Sequence, residues 1–249
     1  MTKLNSTVFD AFRCLNLLAT GNRAFGIREI GRELALDSAK VTRLMQTLLA
    51  LEMVQQDAKR KYRLGMGIHR LSASAIHHSA FYTAALEMLE ETGSHNVSIV
   101  IGVLSGNQVV YLLHTRGGKS IARAIGNYES WPVRDSVIGI KLLATLSDEE
   151  IINRIGIHDY HLLQQDIEQA RQHQVFGKAW APGDYRLACI IPGMQAAIAL
   201  SNIGGDKVNI DTLRQFLISA ARKISGESLP RCNNCWQRCA VTAAVCPGL

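Results

Sequence analysis

The strongest constraint on the fold lies in residues 1–65, where three helical periods and a strand pair follow one another with very little connecting chain. Val8, Phe12, Leu15 and Leu18 recur at helical spacing, Asn5, Ser6 or Thr7 is available as the N-cap, and Gly21-Asn22 stops the run. A second short helix carries Ile27, Ile30 and Leu34 on one face. The tight connection Ala35-Leu36-Asp37 leads into a third, with Val41, Leu44, Leu48 and Leu51 apolar and Asp37 or Ser38 as cap. Two strand candidates, residues 53–56 and 61–64, then flank the charged turn Asp57-Ala58-Lys59-Arg60. Three short helices and a β-hairpin in this order make a winged helix-turn-helix.

Charge supports that reading. The chain of 249 residues carries a formal +6, and residues 1–65 hold eleven Lys/Arg against six Asp/Glu, so nearly all of the excess sits in the first quarter. Such asymmetry fits a nucleic-acid arm on a neutral body; a solvated basic face or a small protein-binding helical domain is the alternative. In this motif the N-terminal half of the recognition helix enters the major groove. The expected base-facing positions are therefore Ser38, Ala39, Lys40, Thr42 and Arg43. Arg43 has the fork for a bidentate contact to guanine, and Lys40 can do the same or hold a phosphate. Arg28 and Arg32 on the second helix suit phosphates, and Lys59, Arg60 and Lys61 at the wing tip suit the backbone or minor groove.

Gly65-Met66-Gly67 ends this domain, and residues 66–91 read as a linker helix running into the first helix of a second domain. His77 and His78 are adjacent and cannot share a helix face, so no metal pair is expected there. Over residues 92–225 the period alternates between strand and helix. Strands are expected at 97–104, 108–114, 119–125, 177–180, 187–191 and 196–202. Helices are expected at 136–146, after the capping box Ser147-Asp148-Glu149-Glu150, at 162–174 and at 210–225. The fold class is α/β of the α+β kind, with a largely antiparallel sheet that can hold a small ligand against one face. Residues 187–205 carry no charge, but Pro192-Gly193 and Gly204-Gly205 interrupt them. Two buried strands fit better than a membrane span. The opening MTKLNSTVFDAFRC has no basic region followed by an apolar one. No secretory leader is expected, and the cytoplasm is the expected compartment. The apolar fraction of 47% excludes global disorder.

At this point the order of parts resembles the IclR family of bacterial transcriptional regulators over roughly residues 5–225. The matching segments are IREIGRELALDSAKVTRLMQTLLALEMV with a wing ending KYRLG, then VVYLL, WPVRDSVIGIKLLA and LACIIPGMQAAIALS. The resemblance implies a winged helix, a dimerising linker helix and a GAF-like effector domain, working as dimers or tetramers on palindromic double-stranded operators without a cofactor. It also implies an effector pocket at Ser136, Val137, Ile138 and Gly139, with the strand residues Ala188 and Cys189 and the strand residues Ala199 and Ser201. Val137 and Ile138 are bulkier than is usual in the family, and the segment upstream of Ala188 reads Trp180-Ala181-Pro182-Gly183-Asp184-Tyr185. A helix start favours a carboxylate ligand, and Arg123 offers a counter-charge. The expected activity is repression of a catabolic operon, relieved by a small carboxylate such as a sugar acid.

Two other readings start from the cysteines. Cys232, Cys235, Cys239 and Cys246 lie in the tail of residues 226–249, where four thiolates suit a metal or redox sensor, or nothing at all. Cys189 would serve an enzyme as nucleophile with His114, His158 or His173 as base. Its apolar surroundings and the absence of Gly-x-Ser-x-Gly, P-loop or His-Glu-x-x-His sequences argue against an enzyme.

Overall fold

Residues 5–92, 97–115, 124, 129–203 and 209–226 are described by the computed structural model, and the chain divides between Ser79 and Ala80 into two units. In the first unit Asn5 caps α1 (Ser6–Thr20) by accepting the amides of Thr7 and Val8, and Asp37 caps α3 (Ser38–Ala50) by accepting those of Ala39 and Lys40. Between them lies α2 (Ile27–Leu34), whose start is tied by Gly26 N–H donating to the Glu29 carboxylate at 2.7 Å. The wing is β1 (Val54–Gln56) paired antiparallel with β2 (Tyr62–Leu64), and α4 (Met66–His77) follows. Cys14, Leu18, Phe25, Ile30, Val41, Leu44, Met45, Leu48, Val54 and Tyr62 form one core.

The turn between α2 and α3 is as tight as expected. Ala35 adopts a left-handed conformation (φ +53°), and Leu36 N–H donates to Gly31 O at 2.8 Å. A Cβ on residue 31 would meet Leu36 O at 2.8 Å, so the close approach requires glycine there.

The inward face of α1 is the expected one at Leu15 and Leu18, which pack on the core, and differs from it in the first half of the helix. Val8 and Phe12 are exposed (54% and 68%), whereas Asp10, Cys14 and Leu18 are buried. Hydropathy alone places an aspartate outside; Asp10 is buried with Lys40 of α3 and Arg13, one turn on in α1, as its ion-pair partners.

The second unit is a three-layer α+β domain. It opens with α5 (Ala80–Thr92), so the helical stretch of residues 66–91 breaks at His78–Ser79. The strands are β3 (Ser98–Ser105), β4 (Gln108–His114), β5 (Glu129–Pro132), β6 (Val175–Ala181), β7 (Asp184–Ile190) and β8 (Ala196–Ile203). Among the described residues they form one antiparallel sheet in the order β5-β4-β3-β8-β7-β6. One face packs on α5 and α9 (Ile210–Ser225) through Ile99, Ile101, Leu187, Cys189, Ile198 and Leu217. The other packs on α6 (Val137–Leu143), α7 (Asp148–Ile155) and α8 (Ile157–Gln172) through Val100, Val109, Ile138, Phe176, Ala188 and Ala199.

The Ser147–Glu150 capping box is present: Ser147 Oγ accepts the Glu150 amide, and the Glu150 carboxylate accepts that of Ser147. α8 begins five residues before the expected helix, directly after Gly156 at φ +82°. β5, absent from the sequence reading, is a four-residue strand ending in proline. The strand expected at 119–125 lies outside the described residues apart from Ala124. Residues 187–203 are two strands around Pro192-Gly193, and no helix among the described residues is long and apolar enough to cross a membrane.

Candidate nucleic-acid interface and effector site

The cap at Asp37 fixes where the third helix starts, and its burial pattern fixes what it displays. Val41, Leu44, Met45 and Leu48 point into the core. Ser38, Ala39, Arg43 and Gln46 are exposed, which is one outward stripe at helical spacing. Thr42 is half-buried, with its hydroxyl donating to Ser38 O at 2.7 Å. Gln46 escaped the sequence reading; its spacing of three from Arg43 was the available signal. An amide side chain on such a stripe is suited to adenine as arginine is to guanine.

Ion pairs divide the basic residues into two groups. Lys40 pairs with Asp10 (2.5 Å), Lys61 with Glu29 (3.4 Å), Arg13 with Asp10, Arg23 with Glu29 and Arg70 with Glu52. Arg28, Arg32, Arg43, Lys59 and Arg60 are exposed and have no such partner among the described residues. The wing tip is built by Asp57, whose Oδ1 accepts the amides of Lys59 and Lys61 at 2.9 and 2.8 Å. Arg60 closes the turn in a left-handed conformation (φ +59°). The tip thus presents Lys59 and Arg60 on an ordered loop.

Glu29 holds the wing and α2 together. The Gly26 amide and then the Arg23 guanidinium lower its carboxyl from 4.5 to about 2. A carboxyl depressed on folding stabilises the folded state above its unfolded pKa, and that stabilisation is lost as pH falls through the folded value. The first unit should therefore lose stability from about pH 4.5 down to about pH 2. Thermal melts across that range should show a shallower pH dependence in Glu29→Gln; an unchanged slope contradicts the assignment.

In the second unit, Ser136 caps α6 by accepting the Gly139 amide and is itself 1% exposed. Val137 and Ile138 are core residues. A Cβ on residue 139 would meet Val133 O at 2.4 Å, so only glycine lets α6 pack on the turn before it. Ala188 and Ala199 share the α6 face of the sheet, and Ser201, two residues on from Ala199, shares its parity. Cys189 does not join them. Adjacent strand residues point to opposite faces, and Cys189 packs with α5 and α9 at 2% exposure. Burial pushes its thiol up, which disfavours a thiolate nucleophile. Arg123 and the four tail cysteines lie outside the described residues.

The structure adds residues that the sequence reading missed. Tyr111 on β4 packs against the α6 face of the sheet, where burial pushes its phenol up and the neighbouring Ser136 hydroxyl partly offsets this. Arg186, two residues before Ala188 and hence on its face, lies over Trp180 at 4.7 Å and donates twice to Asp184. Its positive charge acts on the Tyr111 phenol. Beside Tyr111, Glu129 Oε2 lies 3.1 Å from His114 Nδ1 but off the line of a hydrogen bond. Strand parity with Ala188 was the signal for Arg186. A separate cleft of about 180 Å³ is lined by Asn107, Gln108, Pro132, Val133, Arg134, Ile155 and Asp159, none of them an expected effector residue.

Comparison with known proteins agrees with this architecture. Residues 8–58 match the IclR helix-turn-helix domain. No curated protein matches the chain. Among solved structures, an IclR family transcriptional regulator from Brucella abortus superposes with a TM-score of 0.71 at 19% identity, over 91% of this chain and 93% of its own. An IclR transcriptional regulator from Alicyclobacillus acidocaldarius gives 0.65 at 21% identity, over 91% and 100%. An IclR homolog from Microbacterium hydrocarbonoxydans, complexed with 4-hydroxybenzoate, gives 0.61 at 20% identity, over 89% and 98%. The chain therefore carries the IclR helix-turn-helix domain in its first unit and has the fold of the IclR-family transcriptional regulators.

Proposed function

We propose that this chain is a cytoplasmic repressor of a catabolic operon that binds a palindromic operator as a homodimer or homotetramer and is released by a small carboxylate effector such as a sugar acid. The observation that carries the DNA-binding half is the exposed stripe of Ser38, Ala39, Arg43 and Gln46 on a capped helix, beside a basic wing tip. Two such helices reach successive major grooves about 34 Å apart. Val8, Phe9 and Phe12 support self-association: they are 54%, 55% and 68% exposed on one side of α1, an unusual apolar display for a monomer.

For the effector, the GAF-like second unit offers the α6 face of the sheet. Arg186, Tyr111, Ser136, Ala188, Ala199 and Ser201 lie there; Arg186 gives Nε and Nη2 to Asp184, and its Nη1, unused among the described residues on a guanidinium stacked on an indole, suits a carboxylate. The 4-hydroxybenzoate held by the Microbacterium homolog is a carboxylate of this kind. Ligand shifts DNA affinity only by its unequal affinity for the two states of the regulator. The buried thiol of Cys189 and the family of the first unit favour a regulator over an enzyme.

Selection of bound fragments from genomic DNA tests the proposal: a two-fold symmetric site should emerge, and adding the metabolite of the adjacent genes should release it. In Arg186→Ala the release should need about tenfold or more additional ligand, with DNA affinity unchanged, since charged hydrogen bonds contribute about 1.5–3 kcal/mol. Equal response of Arg186→Ala and the native chain removes the effector site from this face.

A further inference from the structure

Lys40 stands in the first turn of the helix that displays Arg43, where a lysine would ordinarily be counted among the DNA contacts. Its ammonium is 2.5 Å from Asp10 Oδ2. Asp10 is 6% exposed in the middle of α1, one of four buried polar or charged residues among those described. Its other oxygen takes Arg13 Nη1 at 3.0 Å, and Arg13 Nη2 donates to Leu34 O at 2.8 Å. Leu34 is the last residue of α2, so its carbonyl is one that a helix end leaves without an internal partner. One carboxylate therefore ties α1 to the end of α2 and to the start of α3, the two ends joined by the turn.

From this geometry we infer that Asp10 is a positioning residue of the DNA-reading helix and that it withdraws Lys40 from the charge that binds phosphate. To reach a phosphate, the Lys40 ammonium would have to leave a desolvated carboxylate for a hydrated anion already screened by counterions. The exchange is unfavourable, because the buried Asp10 would keep only Arg13. Arg43, one turn on, forms no ion pair among the described residues, and the nearby Asp37 carboxylate is taken up by the Ala39 and Lys40 amides. Lys40 and Arg13 hold the Asp10 carboxyl below its usual range, so the tie persists through neutral and mildly acid solution. The interface then reads sequence through Arg43 and Gln46 and draws phosphate through Arg28, Arg32, Lys59 and Arg60. This inference rests on the winged-helix interface proposed above.

The test is the salt dependence of binding by the full chain to a mixed-sequence duplex. Each phosphate contact adds about 0.9 to the slope of log K against log salt. Lys40→Met should leave the slope unchanged, whereas Arg60→Ala should lower it by about 0.9 per bound subunit. Asp10→Asn frees the Lys40 ammonium and should steepen the slope by about the same 0.9. The double variant Asp10→Asn/Lys40→Met, in which Arg13 has lost its carboxylate just as in Asp10→Asn alone, should return it to the native value and so isolates the Lys40 ammonium as the source of the change. Circular dichroism establishes that each variant is folded, and the double variant serves if Asp10→Asn alone is not. A loss of about 0.9 in Lys40→Met overturns the inference while leaving the interface standing. Unchanged slopes in Arg60→Ala, Arg43→Ala and Lys59→Ala together overturn the interface, and this inference with it.

Discussion

Arg43→Ala should abolish discrimination at one base pair of each half-site and cost about 1–3 kcal/mol there, roughly 5- to 150-fold in affinity per subunit. The side chain is exposed on α3, its helix is fixed by the Asp37 cap and by Val41, Leu44, Met45 and Leu48, and it forms no ion pair among the described residues. Its guanidinium is thus both placed and available, the two conditions a bidentate contact requires. Arg60→Ala should behave differently. A wing-tip charge draws phosphate on any sequence, so its loss should weaken every duplex alike and flatten the salt slope. Competition binding with operators substituted at single positions separates the two. If Arg43→Ala weakens all duplexes equally, the stripe through Ala39, Arg43 and Gln46 is not the reading surface.

The sequence was a good guide where local chemistry decides. Asp37 as a cap, the Ala35-Leu36 turn, the Ser147–Glu150 box and the strand pair around the wing are each specified by residues a few positions apart. It was a poor guide where distant residues decide. The inward face of α1 turns on Asp10 meeting Lys40, 30 positions away, and no helical periodicity contains that information. β5 is too short and too polar to stand out from a loop; it is a strand because β4 pairs with it. The expected effector residues Ala188 and Cys189 were separable by strand parity alone, and the same parity would have pointed to Arg186. That Tyr111 lies near Ser136 was not legible, since it depends on how α6 lies across the sheet.

That placement of α6 is the subject of the second large effect. Lys141→Met should lower the stability of the second unit by about 2–4 kcal/mol, read as a fall of about 5–15 °C in its thermal midpoint. Every residue of α6 is buried, Lys141 included at 7% exposure. Burial pushes its ammonium below the usual lysine range, so the charge needs compensation. It finds that compensation in Ala170 O at 2.5 Å and His173 O at 2.6 Å, carbonyls at the C-terminal end of α8. A cation there meets the negative end of the helix and fills acceptors the helix cannot satisfy itself. Methionine matches the length of the stem but brings no donor, so these interactions are lost and the acceptors go without the lysine. The opposing consideration is that methionine also removes a buried charge, and replacing such charges by apolar groups sometimes stabilises a protein. The two carbonyls decide the sign here. Because they are backbone groups they cannot be replaced along with the lysine, whereas in a side-chain pair both partners can be made apolar. A Lys141→Met chain that melts at or above the native temperature would show that α8 does not depend on this cap, and that α6 is held on the sheet by its apolar contacts alone.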